Sequence, residues 1–548
     1  MKDLYEAVLA RDRRFDGKFV VAVKTTGVYC RPICPARPKP ENVEFFPDAA
    51  AAEQAGYRPC LRCRPECAPH SPAWLGKSAV LQRALKLIAG NEFHRANEDE
   101  FAARLGVSGR HLRRLFAQEI GQTPKQISDN TRLNFARKLI VETDIALTTI
   151  ARTAGFGSPR RFNDAFRKRF RRPPSRLRKA GLKRVGADGI DLKLSFRPPY
   201  DWLTILRFYQ THPIPGVETA AENFFERVFR LGGTIGLFRV QPVPGAAHLI
   251  LRIVTEDPRV LFDVVHRVRR MFDLDLDPML IASRFATVPL LAKLHRRFPG
   301  LRLPGGWDGF ETAVFTILGQ LVSAPQRAQL VGQLVRGYGE EIFHPISGDK
   351  VRLFPRAEIL AHSDLSEVKT TAARKEAIRD FSRRVLSGAI SLSEAQDPMP
   401  FRGSLLETKG LGPWSAECIS LRAIGDTDAF PKTDLILRRV VELHPGLDLE
   451  KVRPWRSYAA IYLWKGFAQT LSKLERTKKH GAVLQGSKLA GGQAKADRER
   501  QRAGRCAMGT GKHQPSTART SKPRSPSPHL GGGGAATIRV FRGEENAI

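Results

Sequence analysis

Between Leu105 and Pro124 the apolar residues fall every fourth position, at Leu112, Phe116 and Ile120, and the same spacing returns fifty residues later at Phe162, Phe166 and Phe170. A period near 3.6 marks helices with one buried face. Ser108 and Pro124 recur as Ser158 and Pro174, so the pattern is an internal repeat. Each copy, FAARLGVSGRHLRRLF and IARTAGFGSPRRFNDAF, reads as helix, Gly-containing turn, helix. Farther on, the runs DLKLSF, TIGLFRV and HLILRIV are separated by Pro and Gly turns and predict strands of an α+β section. Helical periodicity then resumes, and the last stretch, rich in Gly, Ser, Lys, Arg, Gln and Pro, has none and is expected to be disordered. The first section ends in APHSPAW and carries five of the seven cysteines.

This pattern predicts a multidomain chain. A small zinc-bound α+β module (1–76) precedes an all-α double helix-turn-helix (77–182), an α+β domain (186–295), an all-α helix-hairpin-helix domain (296–470) and a disordered basic tail (471–548). Its 548 residues exceed what one hydrophobic core can organise. Lys and Arg number 90 against 55 Asp and Glu, and the formal charge of +35 points to a polyanionic partner. MKDLYEAVLARDRRFDG lacks a long apolar core, and no later stretch is apolar for long enough to span a bilayer, so no membrane association is expected. In the reducing interior this implies, closely spaced cysteines point to a metal rather than to disulfides.

The cysteine pattern is Cys30-x3-Cys34, a gap, then Cys60-x2-Cys63. Two such pairs supply four thiolates, the donor set of a closed tetrahedral Zn²⁺ site, and by spacing alone a structural zinc ribbon fits as well as a reactive centre. The surrounding sequence, VVAVKTTGVYCRPICPARPKPENVEFF followed by GYRPCLRCRPE, resembles the Ada-type methyl-phosphotriester acceptor module along most of residues 1–76. The resemblance implies that Cys30 accepts a methyl group from a DNA phosphotriester, that one Zn²⁺ is bound by Cys30, Cys34, Cys60 and Cys63, and that Thr26, Arg31, Arg37 and Arg58 lie on the phosphate side. Cys67 falls outside the four-ligand pattern.

On the second helix of each repeat, Arg110, His111, Arg113 and Arg114, and then Arg160, Arg161, Asn163 and Arg167, are candidates for base or phosphate contact. A plain helical bundle with solvated arginines would show the same periodicity. The duplicated unit resembles the AraC-type DNA-binding domain over residues 78–182, which implies promoter DNA and RNA polymerase as partners. A Pro-Cys-His-Arg methyltransferase domain, which usually follows in Ada-type regulators, is absent from this chain.

In LLETKGLGPWSAECISLRAIG (405–425), Gly410 and Gly412 predict a tight turn between helices whose backbone N–H groups grip one DNA phosphate. Asp434 opens LILRRV and suits a helix N-cap as well as a catalytic carboxylate. Together these parts resemble the helix-hairpin-helix glycosylase superfamily. Its lyase-competent members carry a lysine at the position of Trp414, which implies a monofunctional enzyme here. RPWRSYAAIYLWKG and WDGFETAVFTILGQLVS are similar to segments of AlkA-type 3-methyladenine DNA glycosylase II, and the likeness extends over about 190–470. It implies that Asp434 acts on the sugar, that Trp414 and Trp464 flank a flipped alkylated purine, and that Leu321 fills the gap left in the duplex. Cys418 stands where an aromatic residue is expected, and Trp455 is assigned to the core. No cofactor is expected for the glycosylase. The expected whole is a monomeric protein of the bacterial cytoplasm and nucleoid that binds double-stranded DNA carrying alkylated purines or methylphosphotriesters. A regulator whose glycosylase half only grips damaged DNA is the alternative.

Overall fold

The computed structural model describes residues 2–467 apart from 13–14, 17, 48, 61–62, 64, 66–78, 179–188 and 395. Cys67, the expected junctions at 76/77 and 182/186 and the tail 471–548 lie outside the described residues.

The N-terminal section is a four-stranded sheet in the order Val43–Phe46, Val20–Val23, Val28–Cys30, Arg58–Pro59. Side chains alternate across a strand, so Val21, Val28 and Cys30 share one face with Ala7 and Val8 of the helix Lys2–Leu9. Val20, Ala22 and Tyr29 share the other with Ala52 of the helix Ala49–Gln54. Both faces are covered, which gives this short segment a small core on each side.

The helix-turn-helix repeat is present as read. Ser108 and Ser158 cap the second helices Gly109–Glu119 and Pro159–Phe170, accepting from the backbone N–H of His111 and Arg161 at 3.2 and 3.3 Å, a contribution of about 1 kcal/mol each. Gly106 and Gly155 make the turns at φ +74° and +75°, where a side chain would be strained. The two units differ in what they pack against. Leu112 and Phe116 close a core with Leu81, Leu85 and Phe101, whereas Phe162, Phe166 and Phe170 belong to a larger core that continues into the α+β section. The helix Pro124–Glu142 bridges them, and Phe135 meets Phe262 edge-on with centroids 4.8 Å apart.

The α+β section is an antiparallel sheet in the order Ile190–Ser195, His248–Thr255, Thr234–Pro242, Phe225–Leu231, Glu218–Ala220, with the helices Trp202–Thr211 and Leu261–Met271 in its core. The position expected to divide this section from the next, between residues 295 and 296, lies within the helix Pro289–Arg297. The final section is helical as expected, and within it Glu341–Phe343 and Lys350–Arg352 form a two-stranded hairpin. Residues 1–465 make one compact unit. Among the described residues no helix is long and apolar enough to cross a membrane.

Candidate functional site

Two centres hold the chemistry-bearing side chains. In the first, the strand Val28–Cys30 carries Cys30 to the sheet's end, and the parallel strand Arg58–Pro59 delivers Cys60, whose N–H donates to Tyr29 O at 2.9 Å. The Cys34 N–H closes a turn onto Arg31 O at 3.0 Å. The result places the sulfurs of Cys30, Cys34, Cys60 and Cys63 within 4.8 Å of one another. Hydrogen bonding to Cys30 brings the Cys34 thiol down to about 7, while the Cys34 and Cys60 thiols push Cys30 up. Four crowded sulfurs compete for few protons, a conflict that a dication resolves, so the donor set fits Zn²⁺.

Arg31 departs from the expectation that it faces phosphate. Its backbone N–H donates to Cys63 Sγ at 3.3 Å, and its guanidinium turns inward to form a bidentate pair with Asp16, both side chains nearly shielded from water. A buried pair costs several kcal/mol to break, so Arg31 braces the thiolate cluster instead. Thr26 and Arg37 are exposed and Arg58 is half-buried.

On the helix-turn-helix units, Arg110, Arg114, Arg160, Arg161 and Arg167 are exposed, and His111 and Asn163 are half-buried. Arg113 is exposed but pairs with Glu98 at 2.7 Å. Arg169, not singled out by sequence reasoning, points the other way: it forks onto Glu53 of the cysteine module at 2.6 and 2.7 Å. Arg137 adds a bond to Cys60 O at 2.9 Å.

The second centre surrounds Asp434. The turn before the helix Pro413–Ala423 holds Gly410 at φ +82°, with Ala377 Cβ only 3.1 Å from where a side chain would begin. Asp434 Oδ1 accepts from the N–H groups of Ile436 and Leu437 at 3.0 and 3.1 Å and caps the helix Leu435–Leu443. The same carboxylate accepts both indole N–H groups, Trp414 at Oδ2 and Trp464 at Oδ1, each at 3.0 Å. Four donors therefore fix its orientation. Trp414 is half-buried, but Trp464, on the helix over 456–467, is only 5% exposed. Both indoles thus meet the carboxylate through their N–H groups.

Leu321 is 95% exposed and holds φ +54°. Burial does not explain a solvent-facing leucine in a strained conformation. Its neighbour Gln320 donates to Gly410 O at 2.9 Å and Ser415 Oγ at 2.8 Å, and Arg374 donates to Gln320 O at 2.5 Å. This latch joins the Leu321 loop to the glycine turn and to the helix bearing Trp414. Gln320 lies inside the GQLVS segment, so its position was visible in the sequence, while Arg374 had no signal there. Trp455 is buried, as assigned.

Comparison with known proteins divides the chain in the same way. Family models match for the metal binding domain of Ada at residues 3–66, a helix-turn-helix domain at 101–180 and the AlkA N-terminal domain at 191–308. A probable bifunctional transcriptional activator/DNA repair enzyme AlkA of Mycobacterium tuberculosis is 36% identical over 478 residues, covering 84% of this chain and 95% of that one. The DNA-3-methyladenine glycosylase 2 of Escherichia coli is 28% identical over 281 residues, half of this chain and 95% of the enzyme. The bifunctional transcriptional activator/DNA repair enzyme Ada of Escherichia coli is 38% identical over 153 residues, 28% of this chain and 42% of that protein.

Proposed function

The chain belongs to the family of bifunctional transcriptional activators and DNA repair enzymes of the AlkA kind, and from that premise we propose that it excises alkylated purines at Asp434 and accepts methyl groups from phosphotriesters at Cys30. The observation that carries the excision is the Asp434 carboxylate, fixed by four donors, two of them the indole N–H groups of Trp414 and Trp464. In hydrolysis the bond from the anomeric carbon to the purine nitrogen breaks, the electron pair leaves with the base, and water supplies the new C–O bond. Positive charge grows at the anomeric carbon, and an oriented anion beside it lowers that barrier. A cationic alkylpurine needs little protonation to leave, and the indole face of Trp414 favours a charged base over a neutral one. Gly410 and Gly412 grip the backbone, and Leu321 occupies the space the base vacates.

The N-terminal module holds one Zn²⁺, which keeps its sulfur ligands ionised and nucleophilic when bound. Cys30 Sγ attacks the methyl carbon, the S–C bond forms, the C–O bond breaks, and the electron pair remains on the phosphate as a diester oxygen. Methylation removes one negative charge from the cluster and strengthens its attraction for DNA. The exposed arginines of both helix-turn-helix units bind promoter DNA, where the protein acts as a monomer and contacts RNA polymerase on the bacterial nucleoid. Duplex DNA containing 3-methyladenine tests the enzyme directly: free base and an abasic site should appear. Binding without release would instead favour a regulator whose second half only grips lesions. Mass spectrometry after exposure to methylated DNA should place the methyl group on Cys30, and a methyl group on another cysteine would overturn that assignment.

A further inference from the structure

Residues 319–323 join the helix Gly309–Leu318 to the helix Ala324–Tyr338, and Leu321 stands at their middle. On one side of it Val322 is buried, and Ser323 caps the following helix by accepting from the Gln326 N–H at 3.4 Å. On the other side Gln320 spends its side-chain amide outside its own segment. Both N–H donors of Nε2 are used, one on Gly410 O at 2.9 Å and one on Ser415 Oγ at 2.8 Å. The Gln320 carbonyl is held in turn by Arg374, whose guanidinium also donates to Thr370 Oγ1 at 2.9 Å.

The contact with Gly410 falls on one particular peptide. The Gly410 carbonyl and the Leu411 N–H belong to a single planar unit, and that N–H donates to Thr408 O at 3.1 Å. Both ends of the plane are therefore tied, which fixes the directions in which the glycine turn presents its N–H groups. Those of Gly410 and Gly412 make no backbone hydrogen bond among the described residues, so they are free to meet a phosphate. The helix Ala372–Leu386 braces the same junction: besides Arg374 it brings Asp380, whose Oδ2 accepts from the Lys409 N–H at 3.2 Å. A strained, exposed leucine and a phosphate-facing turn are thus tied together across 90 positions of sequence by one glutamine side chain.

We propose that Gln320 is a positioning residue for base extrusion: it locks the Leu321 wedge to the phosphate grip, so that capture of the backbone at the glycine turn carries Leu321 into the duplex in a fixed register. The inference rests on the reading of the Trp414–Asp434 centre as a glycosylase. Unpairing and unstacking a base costs free energy that must be met before any bond is cleaved. A wedge on a loose loop would lose conformational freedom on entering the duplex, whereas one held in place beforehand loses little. The amide donors of Gln320 are spent within the protein, so it acts on extrusion through Leu321 and Gly410 and not on the glycosidic bond.

The test is single-turnover excision of 7-methylguanine by the full chain from two substrates. In one the lesion lies opposite cytosine, where methylation at N7 leaves the pairing edge intact; in the other it lies in a one-nucleotide bulge, where no pair has to be broken. Gln320→Met keeps the length of the side chain but donates nothing. It should slow excision from the paired site about tenfold, the scale of two neutral hydrogen bonds, and from the bulge by less than about twofold, since extrusion there is cheap. A 2-aminopurine beside the paired lesion should report unstacking slowed by the same factor. Arg374→Met, one bond further from the latch, should give the same split with smaller amplitude, and Arg374→Lys, which still offers a donor to Gln320 O, should recover most of it. The rate on the bulge shows that each variant is folded with its Asp434 centre intact. Equal slowing on both substrates would reduce Gln320 to general packing and overturn the proposal, as would unchanged rates on both, and either result leaves the glycosylase reading standing. No excision from either substrate by the unmodified chain overturns both.

Discussion

The thiolate cluster and the Asp434 centre are held in place by different means. The cysteines come from one short segment, in which the bond from Arg31 to Cys63 spans 32 positions, and their geometry is completed by a metal. The Asp434 centre draws on distant parts of the chain: Gln320 reaches Ser415 across 95 positions and Trp464 reaches Asp434 across 30. Its rigidity comes from a large core and from hydrogen bonds that converge on one carboxylate. The first centre concentrates its stability in a few strong bonds, and the second spreads it over many weak ones. The two are also braced differently against the rest of the molecule. The cysteine module is clamped through Glu53 to the second helix-turn-helix unit, and through Asp16 O to the fully buried Arg197 of the α+β section at 2.5 Å.

Four perturbations sharpen this contrast, beginning with the largest. Cys34→Ser should unfold the N-terminal module, because a structural Zn²⁺ site contributes on the order of 10 kcal/mol. Zinc content and proteolysis of residues 1–66 report it, and retention of one tightly bound Zn²⁺ would break the proposed ligand set. Excision should persist in this variant, since the Asp434 centre rests on a separate core.

Asp434→Asn should lower excision by about 10²–10³, the usual range for one electrostatic group. The amide still caps the helix, but its NH₂ cannot accept from the second indole, so a stability loss of about 1–2 kcal/mol should accompany it. Near-normal single-turnover rates would reduce Asp434 to its capping role.

Glu53→Ala should act on stability and leave the chemistry untouched. It leaves Arg169 buried without its carboxylate and removes the acceptor of Tyr29 at 2.6 Å, and breaking one side of such a pair costs about 3–5 kcal/mol. If chemical denaturation shows no loss, the clamp does not couple the cysteine module to the helix-turn-helix unit.

The smallest effect is in pH. Arg227 pairs with both Glu218 and Glu311, and burial raises Glu311 from its ordinary 4.5 to about 7. The folded chain thus holds a proton that the unfolded chain releases, and the stability from that protonation, full below about pH 4.5, is lost as pH rises toward 7. Glu311→Gln should flatten this slope, measured as melting temperature against pH. An unchanged slope would assign the dependence to other groups.

The parts of this molecule that were legible in its sequence are those governed by local periodicity. The helix-turn-helix repeat, with its caps at Ser108 and Ser158, follows from four-residue apolar spacing and from a hydroxyl's fit to free N–H groups. The cysteine spacing specified four ligands for the same reason, since a metal site of nearby residues needs little else from the fold. Asp434 was visible as a cap and as a catalytic candidate, and it serves the first role by the same carboxylate proposed for the second. What the tertiary structure alone decided were the partners of charged groups. Arg31 turns to Asp16, Arg169 crosses to Glu53 of another module, and Trp414 and Trp464 converge on Asp434 through their N–H groups. Backbone pattern depends on neighbours in sequence, whereas the long side chain of an arginine pairs with whatever carboxylate folding brings within reach, and that is settled only when distant segments pack.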